Sequence, residues 1–151
     1  MPDLLSNEIR SWIGRVAPPI RLEVSRRDII KYSIATEQTK KIHLEGDIAP
    51  PMFLFGTDKP LVSISDLTKD GLAKDILTPP LPLKKVMAGG IRQKYFREIR
   101  AGDKLLIQKK IADIYQKEGK SGPLIFVVYN ISIQDENGSV VMEITQSRIN
   151  R

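Results

Sequence analysis

Apolar residues recur at Leu5, Ile9, Trp12, Ile13 and Val16. Steps of three and four place them on one face of a helix over residues 4–16. Ala17-Pro18-Pro19 stops it, because proline has no N–H and clashes with the preceding turn. Ile20 to Val24 alternates apolar and charged residues, the period of a short strand. Ser25 with Asp28 then forms a capping-box-like start, which predicts a second helix ending near Thr36. Residues 56–85 hold Pro60, Pro79, Pro80 and Pro82 with Gly56 and Gly71, so at most a short helix is expected around 64–77. From Val86 the period becomes two. Val127, Tyr129, Ile131 and Ile133 oppose Val128, Asn130, Ser132 and Gln134. Turn formers fall at 100–103, at 117–122 and at Asn137-Gly138, a strong hairpin signal. Long consecutive strands joined by tight turns predict four antiparallel strands over 86–150. Helices first and a sheet afterwards is the α+β pattern.

A length of 151 residues predicts one domain over 1–151, with 1–19 as an N-terminal helix and lead-in. The absence of cysteine excludes disulfides, thiolate nucleophiles and Cys-based metal sites, and one histidine excludes a multi-histidine site within the chain. No apolar run approaches the roughly 18 residues of a membrane span, and the first residues lack an apolar signal core. A cytoplasmic location away from membranes is therefore expected. The net charge of +6 raises nucleic acid as a partner. The lysine pairs at 40–41, 84–85 and 109–110 are scattered among acids, however, so a solvated basic surface is expected and no nucleic acid. The same charge can draw in a phosphate-bearing small molecule.

Three segments carry a family resemblance. "EVSRRDIIKYSIATEQTKKIH" runs from strand through helix into a stretch similar to the signature A-T-G-D-x-N-P-I-H. "IAPPMFLF" is similar to an A-P-P-T-F segment. The strands from Val86 onward carry a Gly-Gly pair, "REIRAGD" against R-P-x-R-x-G-D, and a "KEGKSG" turn. On these residues the chain resembles the MaoC-like dehydratases, specifically their N-terminal-type hot-dog domain, over about 20–150. The resemblance implies a single hot-dog fold, an antiparallel sheet wrapped on a helix, and Gly56, Pro60, Gly71 and Pro79 make that helix short or displaced. It implies reversible hydration of a trans-enoyl thioester to an (R)-3-hydroxyacyl thioester. Coenzyme A or acyl carrier protein is then part of the substrate, with no metal or redox cofactor. The family works as dimers or fused copies. A dimer, homo- or hetero-, is expected here too, since a bare sheet edge is normally covered.

Hydration needs a positioned water, a base, an acid for C2 and donors for the thioester oxygen. The resemblance places catalytic roles at His43 and at Gln38, the position of the family's aspartate. An amide can hold a water but cannot ionise. Glu37 stands for the signature glycine, and Lys40-Lys41 for Asn-Pro. Pro50-Pro51 replaces the family's histidine-glycine pair, removing the N–H donor at Pro51. The implied substrate-binding residues are Pro51, Met52, Phe53, Phe55, Gly89 and Gly90. Glu37, Glu45 and Asp47 are the carboxylates near enough in sequence to rescue the site.

The expected function is a subunit of an enoyl-CoA hydratase or 3-hydroxyacyl-thioester dehydratase, the degenerate-site partner of a catalytic hot-dog chain. The alternatives are a self-sufficient homodimeric hydratase using His43 and a non-enzymatic acyl-CoA-binding module. For His43 itself, a hydrogen-bonded loop residue and a partner contact stand beside the catalytic role. The broken pattern of 56–85 gives two expectations: an open apolar cleft beside Met52, Phe53 and Phe55 for a bulky acyl chain, or a loop that packs the groove itself.

Overall fold

The computed structural model describes residues 1–151. Five strands form one antiparallel sheet: β1 (Ile20–Glu23), β2 (Val86–Tyr95), β3 (Lys104–Gly119), β4 (Gly122–Gln134) and β5 (Val140–Asn150). Their spatial order is β1-β3-β4-β5-β2. The four long strands expected over 86–150 are β2 to β5, and Gly138 takes φ +79° in the last turn. Alternation on β4 sorts the faces as expected, with Ile125, Val127, Tyr129, Ile131 and Ile133 buried.

The helices are α1 (Asn7–Arg10), α2 (Arg26–Ala35) and α3 (Lys41–Leu44). Ser25 caps α2, its Oγ accepting from the Asp28 N–H at 3.0 Å. Ten residues make α2 short for the helix at the centre of such a fold. Its Ile29 is fully buried with Val24, Ala49, Leu54 and Ile99 against Leu105, Ile107, Ile131, Ile133, Met142 and Ile144 of the sheet. This is the hot-dog arrangement of sheet and helix.

The expected helix over 4–16 is cut to one turn. Gly14 (φ +88°) donates its N–H to the Ile111 carbonyl, and Ala17 donates to that of Lys109. The chain leaves the helix because bonding to the edge of β3 satisfies those backbone groups instead. The short helix expected around 64–77 is likewise a single 3-10 turn at Ile64–Asp66. Gly71 (φ +74°) turns the chain there and lets Leu67 pair with Ala73.

A second apolar cluster covers the far half of the sheet. Leu5 and Ile9 join Leu77 and Leu81 over Ile111, Ile114, Ile125, Val127 and Tyr129. The proline-rich segment thus packs this part of the groove itself, and a bulky acyl group has no vacated groove there to fill.

Candidate functional site

The end of α2 sets the site. The Glu37 N–H donates to the Ile34 carbonyl and the Gln38 N–H to the Ser33 carbonyl at 2.9 Å. This is a Schellman motif, which requires a left-handed residue after the cap. Glu37 occupies that position at φ 54°, the one non-glycine residue with positive φ. The reversal delivers Gln38 to a cleft, and the single turn of α3 brings His43 to the same cleft.

His43 is buried, and its Nδ1 lies 2.7 Å from the Ile48 carbonyl oxygen. A carbonyl only accepts, so Nδ1 carries a proton, and in the neutral ring Nε2 is the lone-pair nitrogen. Gly46 closes the turn behind it at φ +77°. A Cβ there would lie 2.7 Å from the Arg26 carbonyl oxygen.

The cleft has a volume of about 550 Å³. Gln38 and His43 stand on one wall, Pro50, Pro51 and Phe53 on another, and Tyr95, Glu98 and Met142 on the sheet side. Tyr32 braces Phe53 edge-on, with ring centroids 5.6 Å apart. Tyr95 donates its hydroxyl to the Pro51 carbonyl, tying the double-proline wall to β2. Burial pushes the Tyr95 phenol above its ordinary value, and the neighbouring Tyr32 adds to the shift. Neither Pro50 nor Pro51 has an N–H to offer, and the Phe53 N–H is spent on the Pro50 carbonyl. The Met52 N–H has no acceptor within the chain, but Met52 stands outside the cleft lining.

None of the three carboxylates near His43 in sequence lines the cleft. Asp47 pairs with Arg26, Glu45 with Lys41, and Glu37 is exposed at the helix cap. The carboxylate that does line it is Glu98, held by Arg100 at 2.8 Å. It stands in the turn of "REIRAGD", where Asp103 binds Arg97 at 2.8 Å and also accepts the Arg100 N–H. That hydrogen bond to Asp103 holds the Arg97 guanidinium above its usual value. Nothing in the local pattern marks position 98, since only the fold carries it back to the cleft of His43.

The remaining implied substrate residues are elsewhere. Phe55, Gly89 and Gly90 line a separate depression of about 400 Å³ further along β2. Gly89 and Gly90 form a bulge opposite Ser147 of β5. The structure therefore joins Gln38, His43, Pro51 and Phe53, and leaves Met52, Phe55, Gly89 and Gly90 outside that cleft.

Comparison with known proteins agrees with this architecture. Residues 11–144 match the family model described as FAS1-like, dehydratase domain region. The mesaconyl-C(4)-CoA hydratase of Chloroflexus aurantiacus is 27% identical over 82% of this chain and 44% of its own length. The chain thus spans less than half of that relative. Among solved structures, the C-terminally truncated HadBC (3R-hydroxyacyl-ACP dehydratase) complex of Mycobacterium tuberculosis superimposes with a TM-score of 0.67 at 15% identity. It covers 92% of this chain and 97% of that one. A MaoC-like dehydratase of Rhodospirillum rubrum gives 0.60 at 18% identity, covering 91% of each chain. With the family model spanning the helix, the cleft and nearly the whole sheet, the chain belongs to the FAS1-like dehydratase domain family and has the fold of a MaoC-like hot-dog dehydratase.

Proposed function

We propose that this chain is a subunit of an enoyl-thioester hydratase or 3-hydroxyacyl-thioester dehydratase. Its own site is incomplete, and a second hot-dog chain carries the full acid/base pair. One observation carries the reading. The cleft presents a histidine whose Nε2 makes no hydrogen bond in the chain, but the residue the helix cap brings to the same cleft is an amide, Gln38. Hydration adds the water oxygen to C3 and a proton to C2. His43 Nε2 and the Gln38 amide can hold the water, but Gln38 cannot exchange a proton with it. The wall where a donor to the thioester oxygen is needed is built of two prolines.

The surface supports a partner chain. β2 pairs only with β5, so its other edge is bare over ten residues. Val86, Met87 and Ile91 are exposed along it. Leu61, Ile64, Leu72 and Ile76 are exposed on the neighbouring loop, with Leu61 wholly in solvent. Patches of this kind mark interaction surfaces. The HadBC neighbour is itself a complex. The substrate carrier is coenzyme A or acyl carrier protein, and residues 1–151 act as a single domain.

A second reading, a self-sufficient hydratase, draws on one observation: Glu98 lines the same cleft as His43 and is a carboxylate. The deciding experiment assays the purified chain on crotonyl-CoA, alone and with a co-expressed hot-dog partner. We expect the isolated chain to run roughly 10²–10⁴-fold below an ordinary enzyme for want of its acid/base group. Ordinary turnover by the isolated chain, abolished by His43→Ala and by Glu98→Gln, would establish the second reading and overturn the first.

A further inference from the structure

Between its two apolar clusters the inner face of the sheet carries a polar band. Lys109 of β3 is buried and paired with Asp58 at 2.9 Å and Asp75 at 3.5 Å. Its Nζ stands 4.7 Å from the centre of the Tyr129 ring. On the other side of that ring, two strands away, lies the Arg148 guanidinium, 5.6 Å from the same centre. Arg148 has no hydrogen bond and no ion pair in the chain; its Nε and Nη2 are sealed from solvent without a partner, which leaves Nη1 as the donor open to a ligand. A charge held partly out of water without a partner is costly.

Arg148 forms part of the wall of the depression that also contains Phe55, Lys59, Lys109, Gly89 and Gly90. Lys59, Lys109 and Arg148 line it with Asp75, and Asp58 stands behind Lys109, a net charge of +1; both carboxylates bind Lys109, so Arg148 and the exposed Lys59 have no ion pair. The bulge keeps the floor open, since a Cβ built on Gly90 would meet nothing within 4 Å. The rim is apolar, from Phe55, Val86, Met87 and Ile91.

The depression and the His43 cleft open on the same face of one strand. Tyr95 borders the cleft and Ile91 the depression. They oppose Met142 and Gln146, which with Ile144 between them occupy alternate positions of β5, so both project to one side. At about 3.3 Å per residue the two sites are roughly 13 Å apart along the strand. That distance is spanned by roughly ten carbons joined by bonds of about 1.5 Å.

We propose that the Arg148 depression is a subsite for a carboxylate at the far end of an acyl chain whose thioester lies in the His43 cleft. The inference rests on the thioester reading above and narrows it to dicarboxylic acyl substrates. A single carboxylate matches the group's net charge of +1, and its apolar stem matches the rim. The multiply charged phosphates of the carrier match neither.

The test is calorimetric titration of the full chain with decanoyl-CoA, its ω-carboxylated counterpart and coenzyme A alone. A charge-assisted hydrogen bond predicts roughly tenfold to a hundredfold tighter binding of the carboxylated ligand. Arg148→Gln should erase that preference and leave decanoyl-CoA binding unchanged, and Arg148→Lys should keep part of it. Thermal melts establish that both variants fold. Equal affinity for the two acyl ligands overturns the proposal. So does a loss of coenzyme A binding in Arg148→Gln equal to the loss for the carboxylated ligand, which assigns the cation to the carrier phosphates. It is also overturned if a hot-dog partner removes the preference and Arg148→Gln weakens assembly, since the charge then belongs to an interface. If neither thioester binds, the thioester reading fails, and free sebacate decides the subsite separately. Amide shifts at Gly89 and Gly90 that vanish in Arg148→Gln support it, and their absence overturns it.

Discussion

The Nδ1–H of His43 donates to the Ile48 carbonyl at 2.7 Å, within the turn that Gly46 closes. That bond fixes both the ring's orientation and its tautomer, so Nε2 faces the cleft as an acceptor. Nitrogen NMR of the ring should show the Nδ1-protonated tautomer at neutral pH. In an assembly whose partner chain carries the acid/base pair, His43→Ala should leave the hydratase rate of the assembled protein essentially unchanged. A ring protonated at Nε2 refutes the tautomer, and a fall of about 10²–10⁴-fold in the assembled protein would place the working site in this chain.

Glu37 occupies the left-handed position of the α2 cap at φ 54°. For a residue with a Cβ this costs roughly 1–2 kcal/mol, and glycine avoids it. Glu37 is exposed and lies outside the cleft lining, so the cost has no evident return in contacts. Glu37→Gly should raise unfolding free energy by about 1 kcal/mol in urea titration. An unchanged or lower midpoint would show that the glutamate contributes something the fold of one chain does not display.

Adjacent glycines in the β2 bulge should respond in opposite ways. A Cβ on Gly89 would lie 2.2 Å from Ser147 Oγ and 2.8 Å from the Ser147 carbonyl oxygen. The hydroxyl can rotate away but the carbonyl cannot. Gly89→Ala should therefore destabilise by about 1–3 kcal/mol. Gly90 faces open space, and Gly90→Ala should stay within about 0.5 kcal/mol of the parent. Equal effects in thermal melts would mean the bulge is placed differently.

Tyr129 is buried and donates its hydroxyl to the Leu77 carbonyl at 2.9 Å. Burial pushes its phenol from 10.0 up to about 12; Arg148 opposes the shift and Asp75 adds to it. The folded state therefore holds a proton that the unfolded chain releases at lower pH. The stabilisation is complete below about pH 10 and is lost as pH rises toward about 12. Tyr129→Phe costs a hydrogen bond but should flatten this part of the profile. Stability measured across that window for both proteins checks it, since lysines titrating nearby affect the two alike.

Much of the architecture was legible because it rests on local signals. Ser25 with Asp28 caps α2 as the sequence predicts, and Asn137-Gly138 turns β4 into β5. The site was legible only in part. Gln38 and His43 share a signature within one short segment, and the fold brings them to one cleft. Phe53 and Phe55 are two residues apart, yet the irregular turns after Pro51 send them to different depressions. No periodicity governs such a segment. Glu98 and Arg148 were missed for a related reason. Glu98 reaches the cleft through the turn between β2 and β3, and the place of Arg148 depends on strand register across the sheet; one sequence reveals neither.

The last prediction concerns restoring the chemistry. Gln38 stands where an ionisable partner for His43 is needed, and Pro51 stands where an N–H is needed. Gln38→Asp supplies the carboxylate. Pro51→Gly supplies the donor while keeping the carbonyl that Tyr95 grips. Each lack alone suppresses the rate, by about 10²–10⁴-fold for the acid/base group and about 10²–10³-fold for the oxyanion donor. The single variants should thus gain little and the double variant should gain more than their product, as groups acting on one transition state couple. Pro51→Gly also loosens the unfolded chain and should cost about 1 kcal/mol of stability, so melts must accompany the assay. Crotonyl-CoA hydration by the isolated chain is the measurement. A rise confined to the double variant identifies the cleft as a disabled hydratase site. A double variant as slow as the parent, though folded, would show that the cleft's geometry departs from a hydratase in more than these two residues.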